Sequence, residues 1–328
     1  MDALKRFYSR VGSVEGQMAK TIPRDAVPAE VYGLIWEFLD LGGKRFRPLL
    51  ALSSARACAG RDEDALPAAA AIELFHNFTL IHDDIEDDSQ MRRGKPCLHI
   101  RHGVPLALNA GDGLFMMVWR AALAIRSPKS SAIQTTLLRS FTAVLEGQAQ
   151  ELGWHRSRAW DLSVDDYLDM VGGKTAALVE ASCEVGALCA DAKPAQVKAL
   201  ASYGRAIGIA FQIQDDVLNL VGEEEKYKKE IGGDIREGKR TLMVMHALPR
   251  LSPSDSARLR FILDSRSAGA VEIEWSIQKL RAAGSIDYAS SYANGLVQDS
   301  LKQLSKLPES EAREELEAVA RHIIEREN

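Results

Sequence analysis

Two groups of aspartates are the residues of this sequence whose types and spacing best predict chemistry. LIHDDIED carries Asp83, Asp84 and Asp87, and QIQDDVLN carries Asp215 and Asp216. On a helix, carboxylates at i and i+4 lie one turn apart on one face. Two such carboxylates about 6 Å apart repel by roughly 3 kcal/mol at an effective dielectric near 20, unless a divalent cation binds both. The spacing therefore predicts Mg²⁺, which takes one or two protein carboxylates and completes its shell with phosphate oxygens.

A solvated acidic helix face is the simpler interpretation of either group taken alone. Each group, however, directly follows an apolar stretch, FHNFTLI in one case and GIAFQI in the other. An apolar approach favours a position facing the core. The presence of both groups in one chain therefore favours a metal-binding groove over two surface patches. The second group has Asn219 where the first has Asp87, and so it carries less negative charge.

Basic residues near these aspartates are placed to bind an anion. Arg92 and Arg93 follow the first group, and Arg guanidinium groups suit diphosphate oxygens. The segment GGKRFRP at 42–48 adds three cations beside two glycines that let the backbone approach a ligand, although a solvated basic loop is the alternative. His76 stands two helical turns before Asp83 and could donate to an anion, or it could be a satisfied core histidine.

The segment GGKT at 172–175 resembles the end of a phosphate-binding loop. The full GxxxxGKT pattern needs glycine at position 168, which is Leu168, and no strand precedes it. The sequence therefore argues against a P-loop nucleotide-binding site. Lys174 and Thr175 remain candidates for phosphate contacts from within a helix.

The elements that must position these residues are predicted to be helices. Alternating β-branched runs are missing, and the 11 prolines leave 129–193, 195–248 and 254–307 uninterrupted. The prediction is an all-α fold with a single domain over residues 1–328, since no Gly/Ser linker divides the chain. A chain of 328 residues is long enough for one large core.

Charge and composition exclude several classes of protein. The net charge of −5 excludes a generally basic nucleic-acid binder. No uncharged run reaches the ~18 residues of a membrane span, and no secretion signal is visible, so the predicted location is cytoplasmic. The four cysteines have neither CxxC spacing nor the density of a disulfide scaffold, and they are expected to be reduced structural thiols.

In combination, these motifs resemble the trans-isoprenyl diphosphate synthase (polyprenyl synthetase) family. The motifs are LIHDDIED, RRGKP, GGKRFRP, GKT, and FQIQDDVLNL followed by KEIGGDIREGKRT. The resemblance covers roughly residues 40 to 245, and the context HNFTLIHDDIED is most similar to short-chain members that make geranylgeranyl diphosphate. It implies an all-α, single-domain helical bundle of the isoprenoid synthase type around a deep central cavity, usually paired as a homodimer. It also implies head-to-tail prenyl transfer from an allylic diphosphate (dimethylallyl, geranyl or farnesyl) to isopentenyl diphosphate.

The resemblance further assigns roles to residues. About three Mg²⁺ ions would be held by Asp83, Asp87 and Asp215, with Asp84 and Asp216 in support. Isopentenyl diphosphate would be held by Lys44, Arg47, His76 and Arg93. The allylic diphosphate would be held by Arg92, Lys174, Thr175, Gln212, Lys229 and Lys239, with Lys174 also counted as catalytic. Asn219, Asp234 and Gln148 are left without a firm role, and the register of Lys229 is open because Lys228 is adjacent.

Product length is assigned by resemblance to Phe78, five positions before Asp83, with Thr79 beside it and Phe75 as a further constriction. Simple core packing is the alternative for either phenylalanine. A straight helical wheel places Phe78 about 140° from Asp83, so the floor role does not follow from helix geometry. An aromatic residue at 78 with the smaller Thr79 favours a twenty-carbon product over a fifteen-carbon one.

Three competing functions remain. The first is a farnesyl diphosphate synthase of the same family. The second, from a different class, is a non-catalytic regulatory subunit, although the chain retains every predicted aspartate and cation. The third is a terpene cyclase, which shares an aspartate-rich metal site but needs no isopentenyl site.

Overall fold

The secondary structure is helical apart from one short hairpin. The computed structural model describes residues 2–222 and 231–325, and the only strands within these ranges are β1 (Met91–Arg92) and β2 (Lys95–Pro96). They pair antiparallel, with Met91 opposite Pro96 and Arg92 opposite Lys95. The all-α prediction is confirmed, although the sequence did not indicate the hairpin.

The helices follow one another with short connections. Before the hairpin lie α1 (Ala3–Tyr8), α2 (Val11–Thr21), α3 (Ala29–Leu39), α4 (Phe46–Ala57) and α5 (Asp62–Glu86). After it come α6 (Leu98–His102), α7 (Val104–Leu123), α8 (Ser130–Ser157), α9 (Val164–Val171), a wide π-type turn (Gly172–Ala176), α10 (Ala177–Cys189) and α11 (Pro194–Val221). The last helices are α12 (Gly233–Glu237), α13 (Leu242–Ala247), α14 (Pro253–Ser265), α15 (Ala270–Ala282), α16 (Ser285–Leu304) and α17 (Glu311–Ile324), with a 3₁₀ turn at Leu248–Arg250.

Three of the long helices occupy the proline-free stretches. Helices α8 and α11 have 28 residues each and α16 has 20. Pro194 stands at the first position of α11, where its missing N–H breaks no helical hydrogen bond. Proline placement therefore predicts α8, α11 and α16, but not α5, which has 25 residues and contains Pro67.

The chain divides into two compact units. The first contains Met1–Arg139, Ala181–Ala201 and Leu307–Leu316. The second contains Ser140–Glu180, Ser202–Lys306 and Glu317–Asn328. The first aspartate motif belongs to the first unit and the second motif to the second.

Helix α5 forms the core of the first unit and carries the first aspartate motif at its C-terminal end. Three acidic residues in its first turn suit the positive end of the helix dipole. Residues 68–71 are four alanines, all fully buried, and α5 packs against α4 and α7. A Cβ on Gly111 of α7 would lie 2.5 Å from His82 Nε2, so glycine lets α7 approach the end of α5 closely.

Helix α13 is the most buried element of the second unit, since all six of its residues are buried. It packs against α9, α15 and α16. On α11, a Cβ at Gly208 would lie 2.7 Å from Ala176 Cα, so the wide turn Gly172–Ala176 lies directly on α11. This contact brings Lys174 and Thr175 to the second aspartate motif.

All four cysteines are free, and three of them are buried. Burial raises the pKa of Cys58 to about 11 and that of Cys189 to about 12, as expected for structural thiols. Among the described residues, no helix has the length and apolar character needed to cross a membrane.

Candidate active site

The first aspartate motif lies at the end of α5, with its three acids in different environments. Asp84 is buried at 1% exposure, Asp83 is half-buried and Asp87 is exposed. The Asp87 amide donates to the Asp83 carbonyl at 2.9 Å, which continues the helical turn through the motif. Asp83 and Asp87 therefore keep the one-turn spacing that the sequence predicts.

Asp84 is bound by Arg92 from the hairpin. Arg92 Nε donates to Asp84 Oδ1 at 2.9 Å, and Arg92 Nη2 donates to the same oxygen. The other oxygen, Asp84 Oδ2, is buried and makes no hydrogen bond within the described part of the chain. A buried carboxylate oxygen without a donor is the type of group that a bound cation satisfies.

The hairpin directs Arg92 and Arg93 to different partners. Its two-residue turn is Arg93-Gly94, with φ of 51° and 80°, and positive φ at both positions is the geometry of a tight hairpin turn. Arg93 Nη1 donates to the Gly42 carbonyl. A Cβ on Gly43 would lie 3.0 Å from the Arg93 guanidinium, so the glycine pair makes room for this cation. The structure thus brings the RRGK and GGKRFRP segments together.

The cations of GGKRFRP have separate roles. Arg45 is buried at 4% exposure and donates to Glu73 Oε1 and to the Leu39 carbonyl, both at 2.9 Å, so it is a structural residue. Arg47 instead lies 3.2 Å through Nη1 from His76 Nε2. Lys44 is exposed on the same loop.

His76 lies among positive charges. Burial lowers the pKa of His76 well below its usual range, and Arg47, Arg93, Arg92 and Arg45 lower it further. The imidazole is therefore neutral near pH 7, and its Nε2 accepts from Arg47, which leaves the proton on Nδ1. A neutral histidine among guanidinium groups marks a locally positive region, as an anion site requires.

Phe75 and Phe78 belong to one aromatic cluster between α5 and α7. The Phe78 ring centroid lies 5.6 Å from that of Phe75, 5.0 Å from Phe115 and 4.6 Å from His82. Phe78 is 8% exposed and Phe75 is fully buried. Thr79 is half-buried and donates to the His76 carbonyl at 2.8 Å. The cluster therefore places bulky aromatic side chains one to two helical turns before the aspartates.

In the second unit, Asp216 is held through both carboxylate oxygens. Tyr167 of α9 donates to Oδ2 at 2.8 Å, and Gln212 donates to Oδ1 at 2.8 Å. Thr175 in turn donates to Gln212 Oε1 at 3.0 Å. Burial and the charge of Asp234 raise the pKa of Asp216 to about 7, against the lowering effect of its two donors. Asp215 is half-buried on the same helix.

Lys174 pairs with Glu151 of α8. The two residues meet because α8 packs closely against the backbone of the wide turn. A Cβ on Gly147 of α8 would lie 2.3 Å from the Lys174 amide nitrogen, so only glycine permits this approach. Burial alone would raise the pKa of Glu151, but the Lys174 ammonium outweighs it and the pKa is lowered. The ion pair is therefore charged at neutral pH.

Lys239 is anchored by acids of its own segment. Its Nζ donates to Asp234 Oδ1 at 2.7 Å and lies 2.9 Å from Glu237 Oε2. Burial disfavours the ammonium, but these two carboxylates hold the pKa of Lys239 well above its usual range. Asn219 Oδ1 accepts from the Asp234 amide at 3.0 Å, so Asn219 orders this loop.

These residues of the second unit surround one cavity of about 140 Å³. Its walls include five of the predicted site residues, which are Lys174, Thr175, Gln212, Asp216 and Lys239. Gln148 is half-buried on α8. Lys229 lies outside the described residues, so its assignment stays a prediction.

Six lining residues had no role predicted from the sequence: Met170, Val171, Arg240 and Thr241, and the two side chains that bind Lys174 and Asp216, namely Glu151 and Tyr167. No short motif marks either residue. The only available signals are that Glu151 falls one helical turn after Gly147, and that Tyr167 falls two turns before Lys174. Their partners became evident only from the packing of α8 and α9.

The donor set fits Mg²⁺. Within residues 2–222 and 231–325, no three histidine, cysteine or acidic side chains form a group that holds a metal alone. Mg²⁺ does not need such a cage, since it uses one or two carboxylates together with substrate phosphates. The Asp83–Asp87 spacing and the undonated Asp84 Oδ2 agree with that mode.

Comparisons with known proteins agree on one family. The family described as Polyprenyl synthetase matches residues 28–280. The chain is 40% identical over 307 residues to a short chain isoprenyl diphosphate synthase from Methanothermobacter thermautotrophicus, covering 93% of each protein. It is 35% identical over 317 residues to a geranylfarnesyl diphosphate synthase from Natronomonas pharaonis, covering 91% of each.

Solved structures give the same result. The geranylgeranyl pyrophosphate synthetase of Pyrococcus horikoshii superposes with a TM-score of 0.94 at 36% identity, over 99% of this chain and 98% of that one. A polyprenyl synthase of Caulobacter crescentus, complexed with calcium and isoprenyl diphosphate, superposes with a TM-score of 0.89 at 30% identity, over 99% and 98% of the two chains.

Proposed function

The chain belongs to the polyprenyl synthetase family, and from this premise we propose that it condenses isopentenyl diphosphate with allylic diphosphates to give geranylgeranyl diphosphate. Its fold is the all-helical isoprenoid synthase fold, and it is a trans-prenyltransferase. The observation that carries the proposal is that each aspartate motif lies beside cations suited to diphosphate: Arg92 binds Asp84, and Lys239 and Lys174 line the same cavity as Asp216.

Mg²⁺ would be held by Asp83, Asp87 and Asp215, with about three ions per active site as in the family. Asp84 and Asp216 would orient these ligands. When bound, Mg²⁺ neutralises diphosphate charge and so makes diphosphate a better leaving group. The double hydrogen bonding of Asp216 by Tyr167 and Gln212 supports an orienting role, since both of its oxygens are already occupied by donors.

The isopentenyl diphosphate would lie at Lys44, Arg47, His76 and Arg93. The support is the convergence of Arg47 and Arg93 near a neutral His76, which remains able to donate a hydrogen bond without adding charge. Apart from its chain neighbours, no described residue has a side chain within 4 Å of the position that a Cβ would take on Gly42, so an anion can approach the main chain there as well. This cation cluster would bind the non-allylic substrate through its phosphates alone.

The allylic diphosphate would be held by Arg92, Lys174, Thr175, Gln212, Lys229 and Lys239. Arg92, Lys174 and Lys239 are each paired with a carboxylate, namely Asp84, Glu151 and Asp234. Such balanced pairs bind an anion weakly on their own, because each cation must exchange one negative partner for another. The allylic site would therefore depend on the metal more strongly than the isopentenyl site.

The reaction needs no side-chain nucleophile. The allylic C–O bond breaks with both electrons leaving on diphosphate, and the double bond of isopentenyl diphosphate attacks the resulting allylic cation. Loss of a proton, taken up by the released diphosphate, restores a double bond in the product. The chain's own task is to bind both diphosphates, to align the two carbons and to exclude water.

The product length would be set by Phe78, with Thr79 beside it and Phe75 behind it. The packing of Phe78 against Phe75 and Phe115 supports a rigid barrier to growth of the prenyl chain, since the three rings restrict one another. A barrier at this depth favours the twenty-carbon product over the fifteen-carbon product of a farnesyl diphosphate synthase. The relative from Natronomonas, by its name, makes a longer product, so the length must be measured.

Assembly as a homodimer and a cytoplasmic location are parts of the same proposal. Leu108, Met116 and Leu123 share one side of α7 and are 39%, 56% and 66% exposed, which suits a partner surface. The four free cysteines suit a reducing compartment. A single domain is retained, because four of the five boundaries between the two units fall within helices, the exception being Lys306/Leu307.

The direct test is incubation of the full chain with Mg²⁺, isopentenyl diphosphate and, separately, dimethylallyl, geranyl and farnesyl diphosphate. Diphosphate release and the mass of the product are measured. The expected result is a C20 diphosphate from every primer. A final product of C15 or C25 would correct the product, and absence of release with all three primers would overturn the function.

A further inference from the structure

Arg240 is a buried cation next to Lys239 that belongs to none of the predicted binding sets. It is 3% exposed. Its Nε donates to the Ala159 carbonyl at 2.8 Å, and Nη2 donates to Asp264 Oδ1 at 3.1 Å. Nη1 lies 3.1 Å from His155 Nδ1 and 3.3 Å from the Gly238 carbonyl. Four of its five N–H groups are therefore directed at protein acceptors.

The guanidinium is also fixed from its face. Arg240 Cζ lies 4.3 Å from the centroid of the Trp160 ring. Trp160 Nε1 donates to Asp264 Oδ2 at 2.9 Å, so Asp264 binds the arginine and the ring that stacks on it. Stacking and a planar set of donors together are properties of arginine that lysine lacks.

These contacts join three separate segments of the second unit. His155 and Ala159 lie at and just after the end of α8, Asp264 lies on α14, and Arg240 lies in the segment between α12 and α13. Gly238 also holds this segment close to α14. Its φ is 76°, and a Cβ there would lie 2.2 Å from the Leu263 carbonyl oxygen of α14, so only glycine fits. The backbone just before Lys239 therefore has one position against α14.

The same end of α8 also carries the partner of the other cavity lysine. Glu151, which pairs with Lys174, stands one turn before His155. Lys174 is thus anchored to α8 through Glu151, and Lys239 is anchored to α8 through its neighbour Arg240. Lys174, Lys239 and Arg240 all line the cavity of the second unit.

We infer that Arg240 is a positioning residue, which sets the spacing of Lys239 and Lys174 by joining the Lys239 segment to α8 and α14. It would thereby control affinity for the allylic diphosphate, while its own donors are engaged by the protein. This inference rests on the proposed function, because it assumes that the two lysines hold that diphosphate. It assigns a role to Asp264 and Trp160 as well, which lie outside the cavity lining.

The test is a comparison of kinetic constants for Arg240→Met and Asp264→Asn with those of the wild-type chain. Each variant removes one partner of the Arg240–Asp264 contact. The test therefore remains possible if one of the two variants does not fold. We expect the KM for the allylic diphosphate to rise about tenfold. The KM for isopentenyl diphosphate should stay within about twofold, because its predicted ligands belong to the first unit.

Two matched variants separate positioning from general stability. Arg260→Met removes an exposed arginine whose Cζ lies 5.9 Å from the same Trp160 ring, and it should keep wild-type constants. Arg240→Lys keeps the charge but loses the planar set of N–H donors. Its KM for the allylic diphosphate should therefore lie between those of the wild-type chain and Arg240→Met. The double variant Arg240→Met with Asp264→Asn should be no worse than Arg240→Met alone, since the two residues act as one unit.

The outcomes distinguish this inference from the proposed function. Absence of turnover in the wild-type chain would contradict the function. Normal wild-type turnover with an unchanged allylic KM in both variants would overturn the inference alone. A fall in rate with both KM values unchanged would also overturn it, because a purely structural role lowers only the amount of folded protein.

Discussion

The Tyr167 hydroxyl donates a 2.8 Å hydrogen bond to Asp216 Oδ2. Tyr167 is 2% exposed, and burial together with the charge of Asp216 raises the pKa of its phenol well above the usual range, so it remains a donor. With Gln212 on the other oxygen, the Asp216 carboxylate has one orientation. The second aspartate motif is therefore fixed by α9 as well as by its own helix.

Tyr167→Phe should lower kcat by about tenfold while leaving the fold intact. It removes one hydrogen bond to a buried carboxylate, an interaction that contributes about 1.5–3 kcal/mol. Steady-state rates at saturating Mg²⁺ and substrates measure the effect. The matched control is Tyr203→Phe, which removes a fully buried hydroxyl from α11 away from the cavity lining. Equal activity of the two variants would contradict the orienting role of Tyr167.

Asp83→Asn should abolish turnover, because it removes a carboxylate predicted to bind Mg²⁺ while keeping the shape of the side chain. Asp88→Asn is the control. Asp88 is a neighbouring acid that is 88% exposed in its side chain, and asparagine tolerates its φ of 51°. Diphosphate release and circular dichroism should separate loss of function from loss of fold. Near-normal turnover of Asp83→Asn would refute its metal role.

Phe78→Ala should lengthen the product by one or more five-carbon units, because it removes a ring that packs against Phe75 and Phe115. Phe78→Leu keeps a bulky apolar side chain and should shift the distribution less. Mass spectrometry of the products formed from the farnesyl primer measures both. An unchanged distribution with Phe78→Ala would show that Phe78 is simple core packing.

The neutral His76 should make the protein less stable in mild acid. Its pKa is lowered in the folded state, so below about pH 6.5 the unfolded chain binds a proton that the folded chain does not. The free energy of unfolding should therefore fall as the pH drops. Between pH 7.5 and 5.5, His76→Gln should lose about 1 kcal/mol less than the wild-type chain in urea unfolding. Parallel pH curves would contradict a neutral His76 in the folded state.

The sequence predicts the helical fold well because its signals are local. Proline-free stretches mark α8, α11 and α16, and the apolar approaches to both aspartate motifs indicate helices that run into a core. The hairpin was missed since two strands of two residues each carry almost no periodic pattern. Its turn has Arg at a positive φ, a position where Asn or Gly would have been the recognisable signal.

The site is less predictable because residues of one type take different roles. Arg45 and Arg47 are two positions apart in GGKRFRP, yet Arg45 pairs with buried Glu73 while Arg47 reaches His76. Only the path of α5 decides which cation meets an acid. Likewise, no spacing rule identifies Glu151 or Tyr167, because each meets its partner through packing between helices.

The wide turn Gly172–Ala176 affects how residue roles are transferred between relatives. A π-type turn contains one residue more than an α-helical turn would. Ser140, which donates to the Ala177 carbonyl at 2.9 Å, fixes the register of the chain just after it. If this segment is matched to a continuous α-helix, the residues on one side of Lys174 are shifted by one position. An alignment with a chain that has a continuous α-helix here therefore needs a one-residue gap at this turn, whereas a chain with the same turn needs none.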